Sequence, residues 1–241
     1  MLIYGINPVL EALRAKRVTL LRLASRADDR FAEIVRLADE QRVAVRRVSA
    51  AELERAARGA AHQGIVAEVE AAAHLSVEDL VTGATGAPLI VVLDSIEDPQ
   101  NVGAILRTVD AAGADGVVRQ SRHAAPLGGA AAKASAGAVA HVRIAEVVNI
   151  ARALETLKDA GVWTVGLAGD APKSYNEIDL TLPTAFVVGA EGEGLRRLVR
   201  ERCDWLVSIP MQCHVQSLNV SVATGVALFE AVRQRRAKRV Q

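Results

Sequence analysis

Apolar and polar positions in the first 70 residues follow a pattern of short runs alternating with helical periods. Asn7 followed by Pro8 is typical of a helix start, and Ser49 with Glu52 matches a capping box. The pattern predicts helices at 8–16 and 30–41, a short helix after Ser49, and strands at 20–24, 43–48 and 65–69. We therefore predict a small α/β domain over residues 1–71.

The next stretch has the composition of a linker. It opens with three alanines and then holds Gly83, Gly86 and Pro88. Such residues favour irregular structure over a continuous helix or strand. We predict a linker at 72–88 and a second domain at 89–241.

The second domain begins with a continuous apolar run at 89–93, which ends at Asp94. An unbroken apolar strand is typical of a parallel sheet that is covered on both faces. Further strands are predicted at 116–118, 142–145, 163–167, 185–188 and 206–209. The closing helix, about 218–234, places Val222, Val226, Phe229 and Val232 on one face. Strands separated by helical patterns predict a doubly wound α/β fold with a parallel sheet.

Composition narrows the functional classes. Of the 241 residues 51% are hydrophobic, and the net charge of +1 gives no global indication of a polyanionic partner. The two cysteines, Cys203 and Cys213, have no C-x-x-C spacing, so neither a disulfide framework nor a structural zinc site is expected. No secretory leader and no apolar span of membrane length is evident. We expect a cytoplasmic protein without membrane contact.

Three loops at predicted strand ends contain polar residues that a core does not need. The first, 94–107, holds Asn101 and Arg107; the second, 188–195, holds Glu191 among three glycines; the third, 209–223, holds Ser217 and Asn219. Ligands of open parallel sheets bind at the carboxyl ends of the strands. The three loops therefore predict one site.

Structural alternatives exist for individual residues. Asn101 can cap the helix that follows it, Arg107 can pair with Asp110, and Glu191 can cap a helix after its loop. The glycine loop lacks both G-x-G-x-x-G and the Gly-Lys-Ser or Gly-Lys-Thr ending of a P-loop. A nucleotide-dependent oxidoreductase is thus disfavoured, and the loop is not a P-loop.

Taken together, the three loops resemble a known family. The motifs are N-x-G-x-x-x-R (Asn101, Gly103, Arg107), G-A-E-G-x-G-L (189–195) and I-P-M ending in S-L-N-V-S-V-A (209–223). In this order they look like the SpoU (TrmH) family of RNA 2′-O-ribose methyltransferases. The segments 4–13 and 228–235 further resemble the branch that acts on a guanosine of 23S ribosomal RNA in the peptidyl-transferase region.

The resemblance implies more than the periodicity does. It implies an N-terminal domain like ribosomal protein L30e, a SPOUT catalytic domain with a deep trefoil knot, and a homodimer through that domain. It implies S-adenosylmethionine as cofactor, and no metal. Three positions match cofactor-binding residues of the family: Gly189, Ile209 and Leu218. Five match its active-site residues: Asn101, Arg107, Glu191, Ser217 and Asn219.

The resemblance leaves the role of Arg107 open. The usual proposal for the family makes this arginine the general base. Because arginine stays protonated in proteins, we favour a cation that stabilises a developing alkoxide and binds the neighbouring phosphate. One departure from the family pattern is Cys213, which stands where glycine is usual and is expected to crowd the adenine pocket or alter the turn.

Basic residues suggest how RNA is bound. Arg14, Lys16, Arg17 and Arg22 lie close together in the sequence without an intervening acid, and Arg42, Arg46 and Arg47 form a second cluster. With 3% aromatic residues, recognition by shape and phosphate is favoured over base stacking. The expected partner is 23S rRNA or an assembling large ribosomal subunit. The alternatives are a tRNA 2′-O-methyltransferase and an RNA-binding homologue without activity.

Overall fold

A computed structural model describes residues 1–25, 29–70, 74–122, 124–212 and 214–239. The strands are β1 (Leu2–Tyr4), β2 (Val18–Ala24), β3 (Ala44–Val48), β4 (Ile65–Val69), β5 (Leu89–Asp94), β6 (Gly116–Gln120), β7 (Ile144–Val147), β8 (Trp163–Leu167), β9 (Lys173–Ser174), β10 (Thr184–Gly189) and β11 (Trp205–Ser208). The helices are α1 (Ile6–Arg14), α2 (Ala32–Glu40), α3 (Ala50–Ala57), α4 (Val77–Thr82), α5 (Pro99–Ala112), α6 (Ala130–Ala134), α7 (Ile150–Asp159), α8 (Arg197–Arg202) and α9 (Val220–Arg239). None of these helices combines the length and the apolar run that a membrane span requires.

The chain divides into two compact units, and the first is not continuous in sequence. It comprises Met1–Ala73 together with Val102–Arg107 and Pro126–His141. Its four-stranded sheet has the order β1-β4-β2-β3, in which only β2 and β3 pair in parallel. Helices α1 and α2 bury Leu13 and Ile34 in the core of this unit.

A glycine explains why part of α5 groups with the first unit. A Cβ atom at Gly103 would lie 2.4 Å from the Cβ of Ala134 and 2.6 Å from the carbonyl oxygen of Ala131. Glycine at this position therefore lets α5 and α6 pack at backbone distance. The glycine of the N-x-G-x-x-x-R motif thus has a packing role.

The second unit contains a seven-stranded sheet of order β7-β6-β5-β10-β8-β11-β9. All six strand pairings are parallel, which confirms the predicted α/β fold with a parallel sheet. Every residue of β5 and β10, the two strands at the middle of the order, is buried. Strands β6 and β7 extend the sheet on one side of β5, whereas β10, β8, β11 and β9 extend it on the other. The connections change direction at β5 and β10, so a ligand site is expected at their carboxyl ends.

Helices cover the core of this sheet. The side chains of α4, α7 and α8 pack on one face, with Leu80, Leu154 and Val199 among those buried. Helix α4 lies within the stretch predicted as a linker. Ser76 and Asp79 form its capping box, with Asp79 N donating to Ser76 Oγ at 3.1 Å. A Ser-x-x-Asp signal next to an apolar pair was therefore present in a segment that glycine and proline made look irregular.

One local prediction was wrong. Asn7 does not cap α1: the N-cap is Gly5, and Asn7 lies inside the first turn. The face of α9 that holds Val222 and Phe229 is not buried, because these side chains are 51% and 49% exposed. The buried residues of α9 are instead Val220, Thr224, Ala227, Leu228 and Ala231.

The last helix is attached to the sheet through Arg235. Its guanidinium donates to the carbonyl oxygens of Ala87 (2.6 Å), Leu182 (2.9 Å), Pro88 (3.0 Å) and Leu180 (3.0 Å). Burial lowers the pKa of Arg235, although Asp115 partly opposes that effect. Arg235 thus ties α9 to the chain segments that lead into β5 and β10.

We expect Arg235→Met to lower the free energy of unfolding by about 3 kcal/mol, because four carbonyl groups lose a charged donor while the aliphatic stem is kept. Arg236→Met is the control, because Arg236 is the exposed neighbour of Arg235. Urea unfolding of both variants checks this. Equal midpoints for the two variants would contradict the anchoring role.

Candidate active site

Three loops meet at the carboxyl ends of β5 and β10. Asp94, the last residue of β5, is in register with Gly189, the last residue of β10. The first loop leads from β5 into α5, the second follows β10, and the third leads from β11 to α9. The parallel pairing of β5 with β10 thus brings the first two loops together, as predicted.

Asn219 connects all three loops through its carboxamide. Its Oδ1 accepts hydrogen bonds from the backbone N–H groups of Ser221 (2.9 Å) and Val222 (3.4 Å) at the start of α9. Because a backbone N–H can only donate, these bonds fix which end of the carboxamide is the oxygen. Its Nδ2 therefore points the other way, where it donates to Asn101 Oδ1 at 2.9 Å and to the carboxylate of Glu191.

Asn101 is held inside the first turn of α5. It is 6% exposed, and the predicted capping role is wrong. Asp98 is the N-cap instead, since its Oδ1 accepts from Gln100 N at 2.9 Å and Pro99 occupies the first helical position. With the cap supplied by Asp98, the Asn101 side chain is available to Asn219.

Glu191 reaches Asn219 from the glycine loop. It does not cap α8, which begins at Arg197 without a side-chain cap. The carboxylate is exposed, so one side of it faces solvent while Asn219 holds the other. The alternative structural role predicted for Glu191 is therefore wrong.

The glycine loop folds back on the end of β10. The backbone N–H of Gly194 donates to the carbonyl oxygen of Ala190 at 2.8 Å. A Cβ atom at Gly189 would lie 2.1 Å from the carbonyl group of Gly194. Only glycine fits there, and Gly194 itself has a positive φ of 69°.

Sequence reasoning missed the ion pair beneath this loop. Asp94 is completely buried, and Arg196 donates to it from its backbone N (2.9 Å) and its Nε (2.7 Å). A carboxylate at the end of an entirely apolar strand requires a cation, so the signal was present in the sequence. The sequence did not show which arginine pairs with Asp94.

These loops enclose a cavity of about 730 Å³. The three predicted cofactor residues Gly189, Ile209 and Leu218 line it, as do Glu191, Ser217 and Asn219. Arg200 and Asp170 also line it and form a bidentate pair, with both N–O distances 2.9 Å. The hydrogen bonds from Arg200 lower the pKa of Asp170. The cavity wall thus combines glycine backbone, apolar side chains and a few charged groups.

Arg107 lies on the helix that holds Asn101, six residues further along. Its side chain is exposed, and the described part of the chain offers the guanidinium neither a hydrogen bond nor an ion pair. The predicted pairing with Asp110 is absent there. The charge of Arg107 is therefore not neutralised by the protein residues that the structure describes.

The predicted RNA-binding residues of the first unit are largely engaged within it. Arg14 pairs with Glu11 (2.7 Å) and Glu33 (2.8 Å). Arg17 donates to three backbone carbonyl groups, and Arg22 pairs with Glu68. Among the described residues, the side chains of Lys16, Arg42 and Arg46 have no such partner, whereas Arg47 donates to Ala24 O at 3.1 Å.

The thiol of Cys203 is not suited to act as a nucleophile. Cys213, at the departure from the family pattern, lies outside the described residues. Burial raises the pKa of Cys203 to about 12, so its thiol stays protonated at neutral pH. In the ranges that the structure covers, His, Cys, Asp and Glu do not gather in a group of three that could hold a metal ion.

Comparisons with known proteins agree on one family. The SpoU rRNA Methylase family matches residues 88–229, and the RNA 2′-O ribose methyltransferase substrate binding domain matches residues 2–75. The chain is 46% identical over 243 residues to the 23S rRNA (guanosine-2′-O-)-methyltransferase RlmB of Pseudomonas syringae pv. tomato, covering 98% of this chain and 97% of that protein.

Solved structures show the same likeness. The SpoU methyltransferase AviRb from Streptomyces viridochromogenes, in complex with the cofactor AdoMet, superposes with a TM-score of 0.82 at 26% identity, over 98% of this chain and 91% of that one. The A. aeolicus TrmH/SpoU tRNA modifying enzyme has a TM-score of 0.57 at 34% identity, over 63% of this chain and 77% of that one.

We expect Asn219→Asp to keep the cap of α9 but to lower the free energy of unfolding at pH 7 by about 1 kcal/mol, because a second carboxylate then faces Glu191. The repulsion requires both groups to be ionised, so the loss should shrink at low pH, where carboxylates become protonated. Thermal unfolding between pH 4 and pH 7 measures it.

Asn149→Asp is the matched control. Asn149 caps α7 in the same way, accepting from Arg152 N at 3.2 Å, and no carboxylate among the described residues bonds to it. The same pH dependence in both variants would show that Glu191 is not the cause.

Proposed function

The chain belongs to the SpoU rRNA methylase family, and on that premise we propose that it is an S-adenosylmethionine-dependent enzyme that methylates the 2′-hydroxyl of a guanosine in 23S rRNA. The observation that carries this proposal is the 46% identity to RlmB, which extends through both domains and nearly the full length of both chains. The resemblance first seen in three short motifs is thereby confirmed.

The cavity fits the cofactor. Its volume of about 730 Å³ is within the usual range for sites that hold nucleotide-sized ligands. The glycine backbone of 189–194 can approach a ligand closely, and Ile209 and Leu218 give apolar walls for a purine ring. When bound, S-adenosylmethionine supplies a methyl group on a positively charged sulfur. We assign its binding to Gly189, Ile209 and Leu218.

The hydrogen-bonded side chains at the cavity are suited to orient a ribose. Asn219 holds Asn101 and Glu191 in fixed positions, and each retains unused hydrogen-bonding capacity. Glu191 and the exposed hydroxyl of Ser217 can bond sugar hydroxyl groups. Fixing the 2′-hydroxyl in line with the methyl group removes much of the entropic cost of reaction.

Arg107 supplies the charge in this proposal. A guanidinium remains protonated at all working pH values and stabilises negative charge that develops on the 2′-oxygen. It also matches the geometry of a phosphate, so it can bind the nucleotide's phosphodiester. The proton of the 2′-hydroxyl then passes to that phosphate or to water.

We expect Arg107→Lys to keep measurable activity near neutral pH, because the positive charge remains, and Arg107→Ala to lose about 10²–10³-fold in kcat. Rates of methyl transfer between pH 6 and pH 10 check this. Activity abolished in Arg107→Lys, together with a wild-type rate that rises with a high pKa, would support arginine as the base instead.

We further propose a domain arrangement and a homodimer. We assign residues 1–71 to an L30e-like RNA-binding domain and 89–241 to a SPOUT domain with a trefoil knot; the stretch 72–88, predicted as a linker, contains helix α4. The matched substrate-binding domain at 2–75 supports the first assignment. A homodimer through the second domain is supported by the exposed Val222 and Phe229, seven residues apart on one face of α9.

Basic residues of the first unit are proposed to contact the RNA. Arg14, Lys16, Arg17 and Arg22 stay candidates, but Lys16 is the one of these whose charge is not already used by a partner within the described residues. Arg42, which precedes the edge strand β3, and Arg46, which lies on that strand, are further candidates for RNA contacts. Cations without protein partners bind phosphate at the lowest cost, since no internal bond must break.

The test is transfer of radiolabelled methyl from S-adenosylmethionine to unmodified 23S rRNA, free or in assembling large subunits, with a tRNA pool in parallel. We expect label at one guanosine, mapped as 2′-O-methyl. Label in tRNA alone would favour the tRNA enzyme, whose A. aeolicus neighbour matches only 63% of this chain. RNA binding without label would favour an inactive homologue.

The proposed location is the cytoplasm, where bacterial ribosomes assemble.

A further inference from the structure

We propose that Asp94 is a positioning residue for methyl transfer, which holds the glycine loop of residues 190–195 in place through Arg196. This inference rests on the proposed function and adds a residue to it. Asp94 is not among the residues that line the cavity, so it acts through others.

The carboxylate of Asp94 is buried and bound by Arg196. Asp94 has no exposed surface, whereas the Arg196 side chain is 49% exposed. Arg196 donates to it from its backbone N (2.9 Å) and its Nε (2.7 Å), and Arg196 Nη2 lies 2.5 Å from Asp94 Oδ1. A buried charge is tolerated only with such partners. Because one donor is a backbone group, the pair fixes the path of the chain at residue 196 as well as a side chain.

The glycine loop needs anchoring because its own backbone is flexible. It contains Gly192 and Gly194, both with positive φ (80° and 69°), so its backbone has high conformational freedom when unanchored. One end is fixed by Gly189, which pairs with Asp94 across the sheet. The other end is fixed at Arg196, which bonds the same carboxylate. Asp94 therefore closes the loop at both ends.

The glycine loop contributes both a side chain and backbone to the proposed active site. Glu191 lies in this loop and bonds Asn219, and residues 190–195 form part of the cavity wall. The residue after Arg196 begins α8, which carries the cavity-lining Arg200. If the Asp94 pair is lost, the cofactor wall and Glu191 lose their common support.

The experiment compares Asp94→Asn with Asp204→Asn. Asp204 is also a carboxylate of the second unit that binds a backbone N–H and a cation: it accepts from Thr164 N at 2.8 Å and pairs with Lys158 at 2.9 Å. It does not line the cavity. Both substitutions are expected to lower the melting temperature.

Only Asp94→Asn should weaken binding of S-adenosylmethionine in calorimetry and lower kcat/KM, by about a hundredfold. Its effect should not add to that of Glu191→Ala in a double-mutant cycle, because both act through one loop. Affinity and kcat/KM as close to wild type as those of Asp204→Asn, or additive effects, would overturn the proposal.

Hydrogen exchange separates this proposal from the proposed function. In the protein without cofactor, amides of 190–196 should exchange faster in Asp94→Asn than in wild type, whether or not the enzyme methylates RNA. Unchanged exchange would overturn the positioning role, whereas an inactive wild type would overturn only the function. If Asp94→Asn does not fold, Arg196→Lys keeps a cation but loses a donor, and the same measurements apply with the same expected directions.

Discussion

The orientation of one carboxamide, that of Asn219, determines the arrangement of the site. The first amides of α9 can only donate, so they hold its oxygen and turn its nitrogen toward Asn101 and Glu191. Three segments distant in sequence are joined in this way. A helix start therefore has two functions here, since it satisfies its own backbone groups and presents a fixed donor to the site.

The sheet makes this arrangement possible. Strands β5 and β10 are adjacent and completely buried, and the chain connections change direction between them. Their carboxyl ends carry Asp94 and Gly189, one supplying a buried charge and the other a position without a side chain. Stability and catalysis thus make opposite demands within a few residues: the strands must be apolar, and the loops that follow them must be polar and closely packed.

Much of this was predictable because the relevant signals are local. The apolar run before Asp94, the glycines after residue 188 and the polar side chains between 217 and 221 identified the three loops, and parallel strands bring such loops together. Partners across the chain were not predictable. The periodicity of α9 did not show that Val222 and Phe229 stay exposed, and nothing local assigned Arg235 to four carbonyl groups or Arg196 to Asp94. Asn101 was predicted as a cap because its type suits one, but Asp98 followed by proline suits it better.

The central claim is that the three loops form one site for S-adenosylmethionine beside Asn101, Glu191 and Asn219. A crystal structure of the protein with S-adenosylhomocysteine bound would test it most directly. The account predicts the adenosine in the cavity, in contact with Gly189, Ile209 and Leu218, and the sulfur facing the Asn219 hydrogen bonds. Adenosine bound elsewhere, or in the cavity with its sulfur turned away from these side chains, would contradict it.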